Sequence, residues 1–426
     1  PANPDDIVGT AEFASLKDVK TAISMAKQWD APVAERAAVL NKAADLYEAN
    51  FGELFALLTR EAGKTLLDCV AELRESVDFL RYYAAQATDD APAGTALCIS
   101  PWNFPLAIYS GQMAAALASG NAVLAKPAEQ TSLMAHHAAQ FLHEAGVPKH
   151  ALQLLPGGGD IGGALTENPN LNIVAFTGST STAKRIRHSL AKNAPATPFI
   201  AETGGLNAMI VDSTALPEQA VAAIVESAFQ SAGQRCSALR CLYVQEDIAP
   251  SFIKMLTGAM DTLDVGQPWD VSTDVGPVID EPARAKIAAH IEAHKANIIH
   301  QLPTPQAGTF IAPTLIRVSG IVDMKKEIFG PILHLVTFKS QELDQIINDI
   351  NDTGYGLTFG LHTRIDDRVQ HVSDRIIAGN VYINRNQIGA IVGSQPFGGT
   401  GLSGTGPKAG GPDYLLRFRA VKPAGE

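Results

Sequence analysis

ALCISPWNFPLAIYSGQMAAALASGNAVLA, residues 96–125, reads as strand, helix, strand. Apolar runs at Ala96–Ile99 and Ala122–Ala125 bracket an amphipathic stretch near 106–118. Short apolar strands that alternate with amphipathic helices build βαβ units on a parallel sheet. The alternation runs on through strands predicted at Leu152–Leu155, Ile173–Phe176 and Phe199–Ala201, with helices near 131–145, 160–166 and 180–191. Upstream, Ser15 to Thr88 carries helical spacing: Leu16, Val19, Ile23 and Ala26, then Leu40, Ala44, Tyr47 and Phe51, then Leu66, Val70, Leu73 and Val77. A second alternating series follows residue 236. Its strands are predicted at Cys241–Val244, Ile332–Phe338, Thr358–Leu361 and Asn380–Ile383, its helices near 248–263, 282–297, 341–352 and 366–377. The pattern predicts two α/β domains. Residues 297–310, with two prolines, predict a surface connection, and Tyr414–Val421 reads as a short β-like run.

With 426 residues, 46% of them hydrophobic, the chain can bury a core of that size. A net charge of −11 speaks against nonspecific nucleic-acid binding. There is no run of about 18 apolar residues, so no membrane span is expected. The first residues, with Asp5 and Asp6, lack the basic and apolar regions of a signal peptide. Four cysteines (Cys69, Cys98, Cys236, Cys241) make neither a disulfide framework nor a paired CxxC zinc site. No metal and a reducing cytoplasm are the expectation. Cys69 falls in a helical pattern, Cys98 and Cys241 in strand patterns, and all three read as buried small apolar residues.

Cys236 stands apart. In Gly233-Gln234-Arg235-Cys236-Ser237 it sits beside a cation, which favours the nucleophilic thiolate. Alone, such a pentapeptide is more often an ordinary turn. Two further segments change that. Ile200-Ala201-Glu202-Thr203-Gly204-Gly205 sets a carboxylate between an apolar strand and a glycine turn, and Ser100-Pro101-Trp102-Asn103-Phe104-Pro105 sets a side-chain amide between two prolines. A nucleophile, a general base and an oxyanion donor are the parts of acyl-transfer chemistry. Each also has a plain structural reading: Asn103 stabilising its turn, Glu202 capping the next one. A thiol hydrolase would need a histidine partner. His136, His137 and His143 fall on an upstream helix, outside any such motif.

In this order the three segments closely resemble those of the aldehyde dehydrogenase superfamily. Ala125-Lys126-Pro127-Ala128-Glu129, Phe176-Thr177-Gly178-Ser179-Thr180, Glu327-Ile328-Phe329-Gly330-Pro331 and Gln395-Pro396-Phe397-Gly398-Gly399 stand in register with it, from about Asn3 to about Gly411. Ala201–Gly205, Asn207–Asp212 and Gly389–Gly393 look like the L-glutamate γ-semialdehyde (1-pyrroline-5-carboxylate) dehydrogenases, including the dehydrogenase half of bifunctional proline-catabolism enzymes. The resemblance implies an α/β fold with two Rossmann-like three-layer αβα domains and a small β oligomerisation flap. It divides the chain into an NAD-binding domain (1–205), a catalytic domain (206–410) and an oligomerisation segment (411–426). The implied reaction is NAD-dependent oxidation of an aldehyde through a thiohemiacetal and a thioester on Cys236, with Asn103 as oxyanion donor and Glu202 as base.

No GxGxxG follows the first strand, so the resemblance implies an altered mode of dinucleotide binding. Ile99, Ser100 and Trp102 follow that strand on the cofactor side. Lys126 would meet the adenosine ribose, with Glu129 nearby to disfavour a 2′-phosphate. Gly159 and Gly163 would lie toward the adenine, with Phe176, Gly178 and Ser179 toward the pyrophosphate. Gly204, Glu327 and Phe329 would hold the nicotinamide side. For substrate, Arg235 and Ser237 flank the nucleophile, and the Gly389–Ala390 backbone offers a nest for a carboxylate. Phe104 and Phe397 would clamp an aliphatic stem, and Glu75 would attract an α-ammonium. Implied partners are a small aldehyde, a homo-oligomer, and a proline dehydrogenase domain in the native chain. The alternatives are another small aldehyde such as succinate semialdehyde, or a silent NAD-binding relative, which the presence of Cys236 and Glu202 disfavours. Two departures stand out: Tyr83–Cys98 is short where the family often carries a subunit-contact hairpin, and Leu206 replaces an expected Gln.

Overall fold

The computed structural model describes residues 1–420. Ser15 and Asp18 exchange bonds in a capping box that starts α1 (Leu16–Met25). Helices α2 (Val33–Ala49), α3 (Phe51–Ala62) and α4 (Leu66–Ala85) follow. Gly63, left-handed at φ 70, ends α3, and the Thr65 hydroxyl caps α4.

The first sheet is built from β1 (Thr95–Ile99), α5 (Ala107–Ala118), β2 (Ala122–Lys126), α6 (Ser132–Ala145), β3 (Leu152–Leu154), α7 (Gly159–Thr166), β4 (Ile173–Thr177), α8 (Thr180–Asn193) and β5 (Phe199–Glu202). Its strands run parallel in the order β3-β2-β1-β4-β5. Leu40, Tyr47, Tyr109, Met113 and Phe141 fill one face; Leu97, Leu124, Val174, Phe176 and Ile186 fill the other. Burial on both faces is why β1 and β2 are unbroken apolar runs. Strand order reverses between β1 and β4, and in such sheets ligands enter at the carboxyl ends beside the reversal.

The second sheet holds β6 (Ala208–Val211), β7 (Cys241–Gln245), β8 (Ile298–Gln301), β9 (Thr314–Arg317), β10 (Ile332–Phe338), β12 (Thr358–His362) and β13 (Asn380–Ile383). Helices α9 (Pro217–Phe229), α10 (Ala249–Met260), α11 (Glu281–Ala293), α12 (Leu343–Asp352) and α13 (Asp366–Ser373) accompany it. The order is β13-β12-β6-β7-β10-β9-β8, parallel except for β8. Apolar clusters again cover both faces. A two-stranded ribbon pairs β11 (Tyr355–Gly356) with β14 (Thr400–Gly401).

Two expectations are corrected. The 297–310 stretch is not wholly a connection, because β8 pairs antiparallel with β9 and closes the sheet edge. Tyr414–Val421 is not a strand over its described part. Leu415–Phe418 forms a 3-10 turn whose Leu415 and Phe418 are buried in the first core. The Phe418 carbonyl accepts from the Asn121 amide (2.8 Å) and the Ala93 N–H (3.0 Å), which fastens this segment to the first domain. Val421, and with it the end of the 411–426 segment, lies outside the described residues. Among the described residues no helix is long and apolar enough to cross a membrane, and no cluster of three metal-ligating side chains occurs.

Candidate active site

After α9 the backbone turns left-handed at three successive residues, Ser231 (φ 55), Ala232 (φ 53) and Gly233 (φ 65). For the two residues with a Cβ this costs about 1–2 kcal/mol each, so the surroundings must impose it. They do. The fully buried Arg240 donates to the Gly233 carbonyl (2.7 Å) and the Arg235 carbonyl (3.0 Å). Asn207 donates to the carbonyls of Cys236 (2.7 Å) and Ala238 (2.9 Å). Gln234 accepts from the Ile279 N–H (2.8 Å), and a Cβ on Gly233 would overlap the Gly330 carbonyl. Cys236 is therefore held on an over-determined loop. Asn103, buried after β1, donates to the Gln234 carbonyl (3.0 Å), which brings its amide to that loop.

The expected cation beside the thiol is spoken for. Arg235 donates to Asp68 Oδ1 (2.9 Å) and Ser231 Oγ (3.1 Å), and Arg240 donates to Glu327 Oε1 (2.9 Å). Burial, then the carboxylates of Glu327, Glu202 and Glu75, push the Cys236 thiol up to about 12. At neutral pH it rests as a thiol, and its attack on a carbonyl needs a proton acceptor.

Glu202 ends β5 and is 8% exposed. One carboxylate oxygen accepts from the Gly399 N–H (3.0 Å), and the other has no partner. Gly398 and Gly404 crowd it so closely that a Cβ would stand 3.0 Å and 2.9 Å from its oxygens. Burial pushes this carboxyl up to about 8, the bond to Gly399 and the Lys408 charge opposing. An acid that ionises near the working pH, with one oxygen free, is equipped to take and return a proton.

A cavity of about 440 Å³ joins these groups. Cys236, Glu202, Arg235, Ser237, Phe104, Phe397, Gly389, Ala390 and Glu75 all line it, as does Phe176. Glu75 is half-buried rather than solvated, and burial beside Glu72 pushes it up to about 7. Phe104 lies under two cations, Lys64 (4.3 Å) and Arg235 (5.4 Å), which fix its ring at the cavity wall.

The other predicted residues lie outside that cavity. Trp102 meets Phe329 edge to face at 5.6 Å. Gly204 admits the Glu327 carboxylate, which a Cβ there would overlap. Ile99 and Ser100 leave β1, and the Ser100 N–H bonds the Lys126 carbonyl (3.1 Å). Lys126 is buried at the end of β2, where desolvation lowers its ammonium pKa, and its Nζ donates to the Pro127 carbonyl (2.7 Å). Glu129 is exposed. Gly159 and Gly163 on α7 have open space where a Cβ would stand, and Gly178 packs against Phe176. Ser179 caps α8 through the Thr182 N–H (3.2 Å). Asn207, Arg240 and Asp68 were not foreseen as site residues; their partners lie up to 167 residues away in sequence. Leu206 is buried in an apolar cluster of the second sheet.

A dinucleotide fits these residues. The carboxyl ends of β1 and β4 at the strand-order reversal, the open glycines of α7 and the start of α8 are the features such a ligand uses.

A family model described as the aldehyde dehydrogenase family matches residues 1–423. The bifunctional protein PutA of Escherichia coli (strain K12) is 50% identical over 99% of this chain and 34% of its own length. The 1-pyrroline-5-carboxylate dehydrogenase of Bacillus subtilis (strain 168) is 36% identical over all of this chain and 89% of its own. A crystal structure of Bradyrhizobium japonicum proline utilization A superposes with a TM-score of 0.94 at 49% identity, covering 96% of this chain and 45% of that one. The chain thus spans about a third of the length of the bifunctional relatives it matches.

Proposed function

This chain belongs to the aldehyde dehydrogenase family, and from that premise we propose that it oxidises L-glutamate γ-semialdehyde to L-glutamate with NAD. The observation that carries this reading is the cavity itself, which unites Cys236 and Glu202 with the Gly389–Ala390 backbone and Glu75. The substrate has an aldehyde at one end and an α-carboxylate and α-ammonium at the other. Backbone N–H groups and Ser237 meet the carboxylate, Glu75 the ammonium, and Phe104 and Phe397 the stem.

Cys236 Sγ adds to the aldehyde carbon as its proton passes to water in the cavity, giving a thiohemiacetal whose oxyanion takes the Asn103 amide and the Cys236 N–H. A bound nicotinamide supplies the acceptor for the hydride that the thiohemiacetal gives up. The resulting thioester is attacked by a water whose proton goes to Glu202, and the carboxylate product leaves as the thiol is restored. The cofactor contacts stay as assigned: Lys126 and Glu129 at the adenosine ribose, Ser179 at the pyrophosphate, Glu327 and Phe329 at the nicotinamide side. Exposed Glu129 would repel a 2′-phosphate, hence NAD over NADP. In domain terms, residues 1–205 hold the cofactor and 206–410 the nucleophile. The four cysteines are all free thiols, which fits a reducing cytoplasm. By analogy with the bifunctional relatives, a proline dehydrogenase domain and self-association in the native protein complete the proposal.

Two outcomes are expected. In a panel with NAD, glutamate semialdehyde should exceed pentanal by about 10²-fold or more in kcat/KM, since a site built to hydrogen-bond its ligand rejects one lacking those groups. L-Glutamate should inhibit as a product. Equal rates with pentanal or succinate semialdehyde would leave only the family chemistry standing. Asn103→Ala should lower kcat about 10²-fold with little change in KM, as expected for a donor used mainly by the oxyanion. A change confined to KM would place Asn103 in binding instead.

A further inference from the structure

We propose that Arg385 is a specificity-determining residue that supplies the positive charge behind the Gly389–Ala390 anchor and so selects aldehydes bearing a carboxylate. The inference rests on the substrate class proposed above and adds the source of its selectivity.

The cations nearest the nucleophile are already cancelled. Arg235 is paired with Asp68 at 2.9 Å, and Lys64 with Glu72 at 3.2 Å, all four side chains being buried. Four carboxylates, Glu75, Asp78, Glu202 and Glu226, line the same cavity, against one further cation, Arg74. The anchor's backbone N–H groups and Ser237, all uncharged, would receive an anionic substrate against that excess of carboxylates. Arg385 changes the balance. It follows β13, and its guanidinium packs against Gly389, in the space a Cβ there would enter. Its Cζ sits 5.5 Å from the centre of the Tyr382 ring.

Gln395 completes the arrangement. In the amide orientation its neighbours require, it accepts from Arg385 Nη1 at 3.2 Å and donates to the Gly389 carbonyl at 2.9 Å. Ile391 and Gln395 also exchange backbone bonds of 3.1 and 2.8 Å, which closes the loop carrying the anchor. Guanidinium, amide and glycine thus form one unit. Among the described residues no carboxylate lies within ion-pair distance of Arg385, in contrast to the paired Arg235 and Arg240. Arg385 is half-buried, and a guanidinium without an ion-pair partner attracts an anion placed near it. Because Arg385 stands behind the loop rather than in the cavity, it biases which substrate binds without touching the reacting carbon.

The test compares wild type, R385M and R385K with glutamate semialdehyde and with pentanal, and measures L-glutamate inhibition of pentanal oxidation. In R385M the ratio of the two kcat/KM values should fall about 10-fold, chiefly through KM for the semialdehyde, and the inhibition constant for glutamate should rise by a similar factor. R385K should recover most of both. An equal fractional loss on the two aldehydes would mark a merely structural role and overturn the proposal, as would glutamate inhibition that does not move. If wild type shows no preference for the semialdehyde, the substrate assignment falls while glutamate inhibition still reads the role of Arg385. If wild type is also insensitive to glutamate, both fall.

Discussion

Cys236→Ala is expected to lower turnover on the order of 10⁴-fold or more while leaving NAD affinity within about twofold of wild type. The side chain lines the substrate cavity, whereas the residues assigned to the dinucleotide lie on β1, β2, α7, α8 and the Glu327–Phe329 segment. Alanine leaves the loop intact, because the loop is held through backbone carbonyls: Gly233 and Arg235 by Arg240, Cys236 and Ala238 by Asn207. Steady-state production of reduced cofactor measures the first quantity and calorimetric titration with NAD the second. Turnover within about 10²-fold of wild type would remove Cys236 from the chemistry. A collapse of NAD affinity would mean that the loop, not the thiol, had been lost.

That distinction bears on how far the chain could be read unaided. The first sheet was legible because β1 and β2 are buried on both faces, and a strand with two apolar faces has no polar position to blur it. β8 was hidden by the prolines that follow it and by its position at the sheet edge, with only partly buried side chains. The segment after Gly411 misled for another reason. Its apolar and aromatic run, Tyr414-Leu415-Leu416 and Phe418, has a strand-like composition, but Tyr414, Leu415 and Phe418 bury on one side of a 3-10 turn while Leu416 stays 53% exposed, which is not strand alternation. In the site, the reacting residue types were visible as local patterns. Their electrostatics was not, because Arg235 looked like a free cation until Asp68, 167 residues away, was placed against it. Nor do Ser231 and Ala232 announce a left-handed turn. Arg240 and Asn207, which impose it, lie outside the pentapeptide.

Glu202→Gln should slow thioester hydrolysis about 10³-fold and hydride transfer far less. Glutamine has nearly the same shape, and its carbonyl oxygen can still accept from the Gly399 N–H, now at 3.0 Å. What it lacks is basicity. Rapid mixing should therefore show one equivalent of reduced cofactor per site in a burst, followed by slow turnover limited by the trapped acyl-enzyme. The pH profile supplies a second reading. Burial holds the Glu202 carboxyl at about 8, and only the ionised form can take a proton from water. Below that value the hydrolytic rate of wild type should rise about tenfold per pH unit, and above it the rate should level off; the rising limb should vanish in the variant. The burst must survive for the assignment to hold. If acylation slows as much as hydrolysis, Glu202 acts earlier, taking the proton of a Cys236 thiol that burial and three carboxylates hold at about 12. Such a thiol cannot ionise by itself at neutral pH, so the same carboxylate would then have to serve the attack as well as the release.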